Sequence, residues 1–480
     1  MRWSLSGISQ PARRRVLVCL CILLLSFTVR VLTAQFMRVR LTEPGWFQSG
    51  TYAIFDAQAQ RLLDGSASVI WIDDTARTQA AVYPPGYPAW LALVYGLSGT
   101  RSVYVAQNVQ WVMDALAVLL IVGIGVTAYG WRVGLTAGAL AALSPLLALY
   151  GATPLADAPT SWIVLGGVWM FLLAAKRRSW RWALGAGLMV GASCWLRANA
   201  LLLAGIWALA LLVLVRGAWR EKLILSGAIV LGTLLMIAPI IVRNALAFRA
   251  FLPTGLGVGT NLWEGIGETE RAAEFGAVYG DANLIEQERA ELKPAPDEPF
   301  GLYYPDGVER DRARARRAFN VIKAHPVWYA GVMLRRMWGV LNYTGEPSTF
   351  YGYAGINITS RKMLPPNWTS GVIALPVNLL GMLQSVWQHL ALPLIACGVL
   401  LALLRDWRGG GLLLATVLYY LIFGSVLHME IRYVLPMQAV LLVFAGLAIC
   451  RIGEIVYDKA RRRPRTEAGQ RDQKGKKANG

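Results

Sequence analysis

The sequence predicts an all-α polytopic membrane protein, with about ten transmembrane helices and two large extracytoplasmic loops that contain interfacial helices. Three observations predict it. Hydrophobic residues make up 56% of the 480 residues, above the roughly 45–50% of soluble domains, and mean hydropathy is +0.45. The excess is gathered into blocks, and a spanning helix needs roughly 20 mostly apolar residues. Basic residues collect in the short segments between those blocks.

The chain divides into a cytoplasmic N-terminus (1–15), an N-terminal membrane module (16–243), an extracytoplasmic loop (244–384), C-terminal membrane helices (385–452) and a basic cytoplasmic tail (453–480). Ten apolar runs lie near 16–36, 104–128, 133–149, 158–175, 182–198, 200–215, 222–243, 385–404, 411–427 and 433–452. The first follows Arg13–Arg15 and continues to about Gln35 without a small-residue cleavage site, which predicts an uncleaved anchor. The fifth and sixth share one interrupted stretch, WLRANALLLAG.

In the first outer loop (37–103), Ile54, Ala57, Gln58, Arg61 and Leu62 sit at helical spacing, and Gly65 stops the helix. YPPGYP (83–88) follows. Proline fixes φ and glycine permits a tight turn, so this knuckle returns the loop to the membrane at a defined angle. Its rings, Tyr83 and Tyr87, are expected at the interface. In the second loop, a helix begins at Asp306 as N-cap and stops at Pro326. The next stretch, 325–343, mixes Trp, Leu and paired Arg as an amphipathic helix in the headgroup layer does.

Orientation follows from short-loop charges. With the N-terminus inside, RRR (13–15), GWR (130–132), KRRSWR (176–181), RGAWREK (216–222), LRDWR (404–408) and the tail all fall on the cytoplasmic side of a plasma (inner) membrane protein. The net charge of +19 is therefore read as contact with anionic lipid of the bilayer, and nucleic acid is excluded as a partner. Five cysteines (19, 21, 194, 397, 450) lie within apolar runs, which argues against a disulfide or zinc framework. No GxxxxGK[ST], GxSxG or HExxH pattern occurs.

Unusual polar residues project to one level at the outer face: Asp56 with Asp64, Asp73–Asp74, Asp157, Arg197, Arg243–Asn244, His428, Glu430, Arg432 and Tyr433. Ionisable groups at span ends are costly in hydrocarbon and mostly face water, a partner or a substrate. Plainer readings stand beside this one. Asp157 would serve equally as an N-cap, and Arg197 and Arg243 as snorkelling anchors. Asp73–Asp74 reads as a solvated turn, though paired acids leave room for a divalent cation. Asn-x-Thr triplets at Asn342, Asn357 and Asn367 arise readily by chance and are assigned nothing.

The order of these features resembles the C superfamily of membrane glycosyltransferases (GT-C), specifically bacterial relatives of protein mannosyltransferases (glycosyltransferase family 39) and of aminoarabinose lipid A transferases. The matching stretches are FDAQAQRLLDG (55–65), YPPGYPAWLALVYGL (83–97), LADAPTS (155–161), WLRANALLL (195–203), 238–267 and EIRYVLP (430–436). The resemblance implies an enzyme that moves a hexosyl or pentosyl group from a polyprenyl-phosphate-linked donor to an extracytoplasmic acceptor that is lipid, glycan or protein. It also implies a catalytic acid at the start of the first-loop helix. Here Gly50 or Thr51 occupies that position, and Asp56 is the retained acid.

Such chemistry needs a carboxylate to deprotonate the acceptor and cations to hold the leaving phosphate. Asp56 and Asp157 are therefore the expected catalytic acids, with no resident metal assigned. Tyr83, Tyr87, Arg197, Arg243, Asn244, His428, Arg432 and Tyr433 are the expected substrate-binding residues. The competing readings are a lipid-linked saccharide transporter and a non-catalytic envelope-assembly subunit. A transporter should carry charges near mid-span and internal repeats; here the acids cluster at outer helix ends, apart from Asp114 near the start of the second span, and no repeat is evident.

Overall fold

The computed structural model describes residues 10–41, 51–66, 83–298, 300–303, 306–341, 371–372 and 374–477. Gly50, Asp73–Asp74 and the three Asn-x-Thr triplets lie outside them. All regular elements among the described residues are helical.

α1 (Gln10–Arg40) leads to α2 (Thr51–Leu63), which ends before Gly65 at φ +70°. The knuckle opens α3 (Gly86–Ser98). Ser102 caps α4 (Val103–Tyr129) by accepting the Tyr104 N–H at 3.3 Å. α5 (Trp131–Leu143) and α6 (Pro145–Ala152) form one bent unit, turned by 58° at Ser144. α7 (Asp157–Arg177), α8 (Trp180–Cys194), α9 (Leu203–Leu214) and α10 (Trp219–Phe248) complete the N-terminal module.

Pro145 removes an N–H from that bend, so the Ala142 carbonyl needs a donor from elsewhere, while the Ala141 carbonyl keeps the Ser144 amide at 3.3 Å. Arg30 is that donor. Its guanidinium donates to the carbonyls of Ala141 (3.2 Å) and Ala142 (2.8 Å), and its Nε donates to Asp114 at 2.9 Å. The other Asp114 oxygen accepts from Trp162 Nε1 at 2.7 Å. The intramembrane acid is thus committed to holding a broken helix together.

Among the described residues, six helices are long and apolar enough to cross a membrane, or seven if the bent pair is one span. The expected ten runs are all helical, but two are short. α8 has 15 residues, about 22 Å at 1.5 Å per residue, and α9 has 12; both fall below the roughly 30 Å of hydrocarbon. Two further runs lie in one element, α16 (Ala374–Val426), whose helical dihedrals fail at Asp406. A Cβ on Gly410 would lie 3.2 Å from that of Ala402, whereas residues eight apart in an unbroken helix are about 12 Å apart. α16 therefore doubles back at the LRDWR turn, and α17 (Leu435–Lys477) packs against it.

Among the described residues, three of four apolar clusters organise the chain. The largest joins the membrane helices around Trp207, Phe171 and Phe444. A second seats α2 and α3 on the bundle through Phe55, Tyr87, Leu91 and Tyr95. A third belongs to the second outer segment, comprising α11 (Val258–Gly267), α12 (Ala272–Phe275), α13 (Asp281–Leu292), α14 (Gly307–Ala324) and α15 (Pro326–Leu341). There Glu288 is clamped by Arg310 and Arg314, with Nε distances of 2.8 and 2.6 Å. Asp311 accepts from the backbone of Gly259 and Thr260, capping α11 from another helix. Asp306 sits at the N-cap of α14, but in a left-handed conformation and without a side-chain cap bond.

The knuckle is a clamp, and the expected interfacial rings are not at an interface. A Cβ on Gly86 would lie 2.5 Å from the Trp195 carbonyl oxygen, and the Gly86 amide donates to that oxygen at 2.8 Å. Only glycine allows this approach. Tyr87 is fully buried beneath Phe55 and Trp90, and its hydroxyl donates to Gln110 at 3.0 Å. YPPGYP therefore grips the interrupted WLRAN stretch, where its buried tyrosine is better placed than in lipid headgroups.

Candidate functional site

Gripping that stretch positions Arg197. Between α8 and the short turn Ala198–Ala200 the backbone of Arg197 is extended, at φ −150°. Its guanidinium pairs with Asp157 and lies 4.5 Å from the ring centre of Tyr433. Asp157 occupies the first turn of α7, one residue after the N-cap position held by Ala156, so it is an ion-pair partner and not the cap. It is 3% exposed, and its Oδ2 is buried with no hydrogen-bond partner.

Tyr433 is held from several sides. Asn199 Nδ2 donates to its carbonyl at 2.8 Å, and Tyr419 donates to the Asn199 carbonyl at 2.8 Å. Arg432 lies 5.2 Å from the same ring, so two guanidinium groups share one tyrosine. Arg432 also donates to Glu430 at 2.7 Å, which in turn accepts from the Tyr433 hydroxyl at 3.3 Å.

His428 continues the chain of contacts. Its Nδ1 lies 2.7 Å from Glu268 and its Nε2 lies 3.4 Å from Glu430. Arg336 closes on Glu268 from α15, with Nε at 2.9 Å. Burial pulls the His428 imidazolium down, but hydrogen bonds and charge from Glu268 and Glu430 outweigh it and hold the group at about 9. Burial pushes Glu430 up, yet Arg432 and His428 hold it at about 2. Both are charged at neutral pH.

Asp157, Arg197, Arg432, Tyr433 and His428 are thus brought into one connected network, joined by Glu430. Tyr83 reaches it: its hydroxyl bonds to Thr51, and it lies in the fields of Asp281, Arg197 and Arg432. Other expected residues serve elsewhere. Asp56 accepts from Tyr95 (2.7 Å), Gln60 (2.7 Å) and Tyr52 (3.5 Å). Asp64 pairs with Arg101 at the surface. Asn244 donates to the carbonyls of Leu252 and Thr254, both at 2.9 Å, fastening the turn after α10; Arg243 is buried beside it.

Sequence reasoning missed Glu264, Glu268, Asp281 and Arg336. Glu264 carried a signal, an acid set between Trp263 and Gly265 in an otherwise apolar helix. Among the described residues no group of three or more His, Cys, Asp or Glu side chains is gathered to hold a metal ion.

Helix direction sets the polarity of the bundle. α7 runs from Asp157 to Arg177, and α10 from Arg220 to Arg243, so the network lies at one end and the basic connectors at the other. These features define an all-helical, multi-pass membrane protein with a charged aromatic site where its helices emerge.

Within that class, residues 82–242 match the family model of dolichyl-phosphate-mannose-protein mannosyltransferases, which are glycosyltransferases of the C superfamily. No curated protein matches the chain. Among solved structures, the chain is similar to the Archaeoglobus fulgidus oligosaccharyltransferase in complex with zinc and sulfate. Identity is 14% over 93% of this chain and 50% of that one, with a TM-score of 0.49. It is also similar to the archaeal oligosaccharyltransferase AglB from the same organism, in complex with an inhibitory peptide and a dolichol-phosphate. There identity is 14% over 92% of this chain and 52% of that one, with a TM-score of 0.43. The chain spans about half the length of these proteins.

Proposed function

We propose that the protein is a glycosyltransferase that moves a hexosyl or pentosyl group from a polyprenyl-phosphate carrier to an extracytoplasmic lipid, glycan or protein. Its membrane would be the plasma (inner) membrane, with both termini cytoplasmic and ten apolar segments packed through or into the bilayer. α15 would rest in the headgroup layer, because Val327, Leu334 and Trp338 form an exposed apolar face between its ion pairs.

The observation that carries this reading is the Tyr433 ring shared by Arg197 and Arg432, with His428 charged nearby. In our reading these cations hold the carrier phosphate. Asp157 orients Arg197, and Tyr83 and Tyr433 form the aromatic floor. As the acceptor oxygen bonds to the sugar C1, the C1–O bond to phosphate breaks and its electron pair stays on the phosphate. Fixed cations at that point stabilise the developing charge without reorganisation. Asp56, fastened by two tyrosines and a glutamine, positions α2, as Tyr87 and Asn244 position their segments.

Mass spectrometry of envelope glycans and lipids, with and without the gene, tests the assignment. Loss of one sugar mass from one acceptor is expected. Unchanged glycans with altered sidedness of the carrier lipid would overturn it in favour of a transporter.

A further inference from the structure

We propose that Asp281, backed by Glu264, takes the proton from the acceptor hydroxyl. The inference rests on the transferase reading and assigns the base to the second outer segment, not to the first loop.

Among the described residues of the first loop, the carboxylates of Asp56 and Asp64 are both engaged by other side chains. Both oxygens of Asp56 accept hydrogen bonds from its own helix and from α3. Thr51, one turn earlier, is the residue that meets Tyr83, and Tyr83 in turn feels Asp281 together with Arg197 and Arg432. Asp157 and Glu430 are paired with Arg197 and Arg432, and Asp281, on α13, brings an exposed carboxylate to the same surroundings of Tyr83.

The backbone explains how it arrives there. α11 is fastened to the 427–430 segment: the His428 amide donates to the Asn261 carbonyl at 2.9 Å, and a Cβ on Gly265 would lie 3.0 Å from that amide nitrogen. This places Glu264 beside His428. The Tyr279 ring packs 5.5 Å from the His428 ring. Two residues later, after Gly280 at φ +94°, Asp281 opens α13 and hydrogen bonds to Glu264. Glu264 is 7% exposed, whereas Asp281 faces solvent at the rim.

Two adjoining carboxyl groups do not both ionise readily, and the buried one keeps the proton. Burial first, and then the Asp281 charge, push Glu264 up to about 7; His428 and Arg314 oppose this. Asp281 is also raised, chiefly by desolvation of its carboxylate, and this is opposed by the Glu264 hydrogen bond, Arg314 and His428. A base tuned toward neutral pH is effective as a proton acceptor. In the step proposed, the acceptor O–H bond breaks and its proton passes to the Asp281 carboxylate. The oxygen pair bonds to C1, and the phosphate leaves toward Arg197 and Arg432.

Membranes from a strain lacking the gene hold both unused donor and unused acceptor, so adding purified protein starts the reaction. Asp281→Asn should lower the initial rate at least about 100-fold, in the range of general-base loss. Binding of undecaprenyl phosphate and the melting temperature should not change. Asp281→Glu should recover part of the rate, and Glu264→Gln should shift the rate inflection near pH 7. Asp56→Asn should stay within about tenfold of wild type, as expected for a side chain outside the reacting set. An Asp281→Asn protein that keeps the wild-type rate and pH profile overturns the inference. A wild-type protein that moves no sugar overturns the transferase reading itself.

Discussion

The Arg197 guanidinium lies 4.5 Å from the centre of the Tyr433 ring, joining the interrupted stretch after α8 to the entry of the last membrane helix. Arg197 also neutralises Asp157, which is almost completely buried. One side chain thus faces the site and satisfies an interior charge.

Arg197→Ala should therefore cost both activity and stability. Removing one partner of a buried pair typically costs about 3 kcal/mol, because the remaining charge stays buried. Arg197→Lys keeps the charge but loses the planar stacking, so it should melt near wild type and transfer sugar at least about tenfold more slowly. Thermal unfolding in detergent and the membrane transfer assay measure the two effects separately.

Stability should depend on pH through His428. Its folded value, about 9, lies above the ordinary 6.5, so its ion pairs contribute fully below about pH 6.5. That contribution, about 3 kcal/mol, is lost as pH rises through 9. His428→Gln should melt lower at pH 6 and lose the decline between pH 7 and 9.5. Glu430 behaves oppositely: its contribution is present above pH 4.5 and disappears as pH falls toward 2.

Gly86→Ala should break the grip of the knuckle on Trp195. The new methyl would meet backbone atoms, which cannot rotate away, so a loss of about 2 kcal/mol is expected. Limited proteolysis should reveal earlier cleavage in the first outer loop, and transfer should fall although no site residue has changed.

Arg30→Ala should be among the most damaging changes within the membrane, since it leaves Asp114 without its cation and the Ala142 carbonyl without a donor. A cost of about 3–5 kcal/mol is expected. Adding Asp114→Leu should restore part of it, because the stranded charge is removed while the Ala142 carbonyl remains unsatisfied. A double variant as unstable as the single one would show that Asp114 was never the main cost.

Much of the architecture was legible because hydrophobic periodicity and basic connectors are local signals. Gly65 and Pro326 both mark real helix ends, and each acts through its own backbone; the break at Ser144, inside the run 133–149, was not read. Span number was less legible, since an apolar run does not reveal whether its helix is long enough; α8 and α9 are too short. Within the site, the LHMEIRY stretch was readable because charges at a span boundary are conspicuous. Asp56 was ambiguous because its partners, Tyr52, Gln60 and Tyr95, look unremarkable in sequence. Glu268 and Asp281 were hidden among the many charges of a polar segment, where only packing distinguishes a partner of His428 from a solvated side chain.

The hydrogen bond from Gly86 to Trp195 makes two distant stretches of chain a single hereditary unit. Lengthening or shortening either would displace the guanidinium that the other supports. Descendants that remodel the proline hinge must therefore adjust the tryptophan segment in the same lineage, and paired substitutions across this contact are the trace such history would leave.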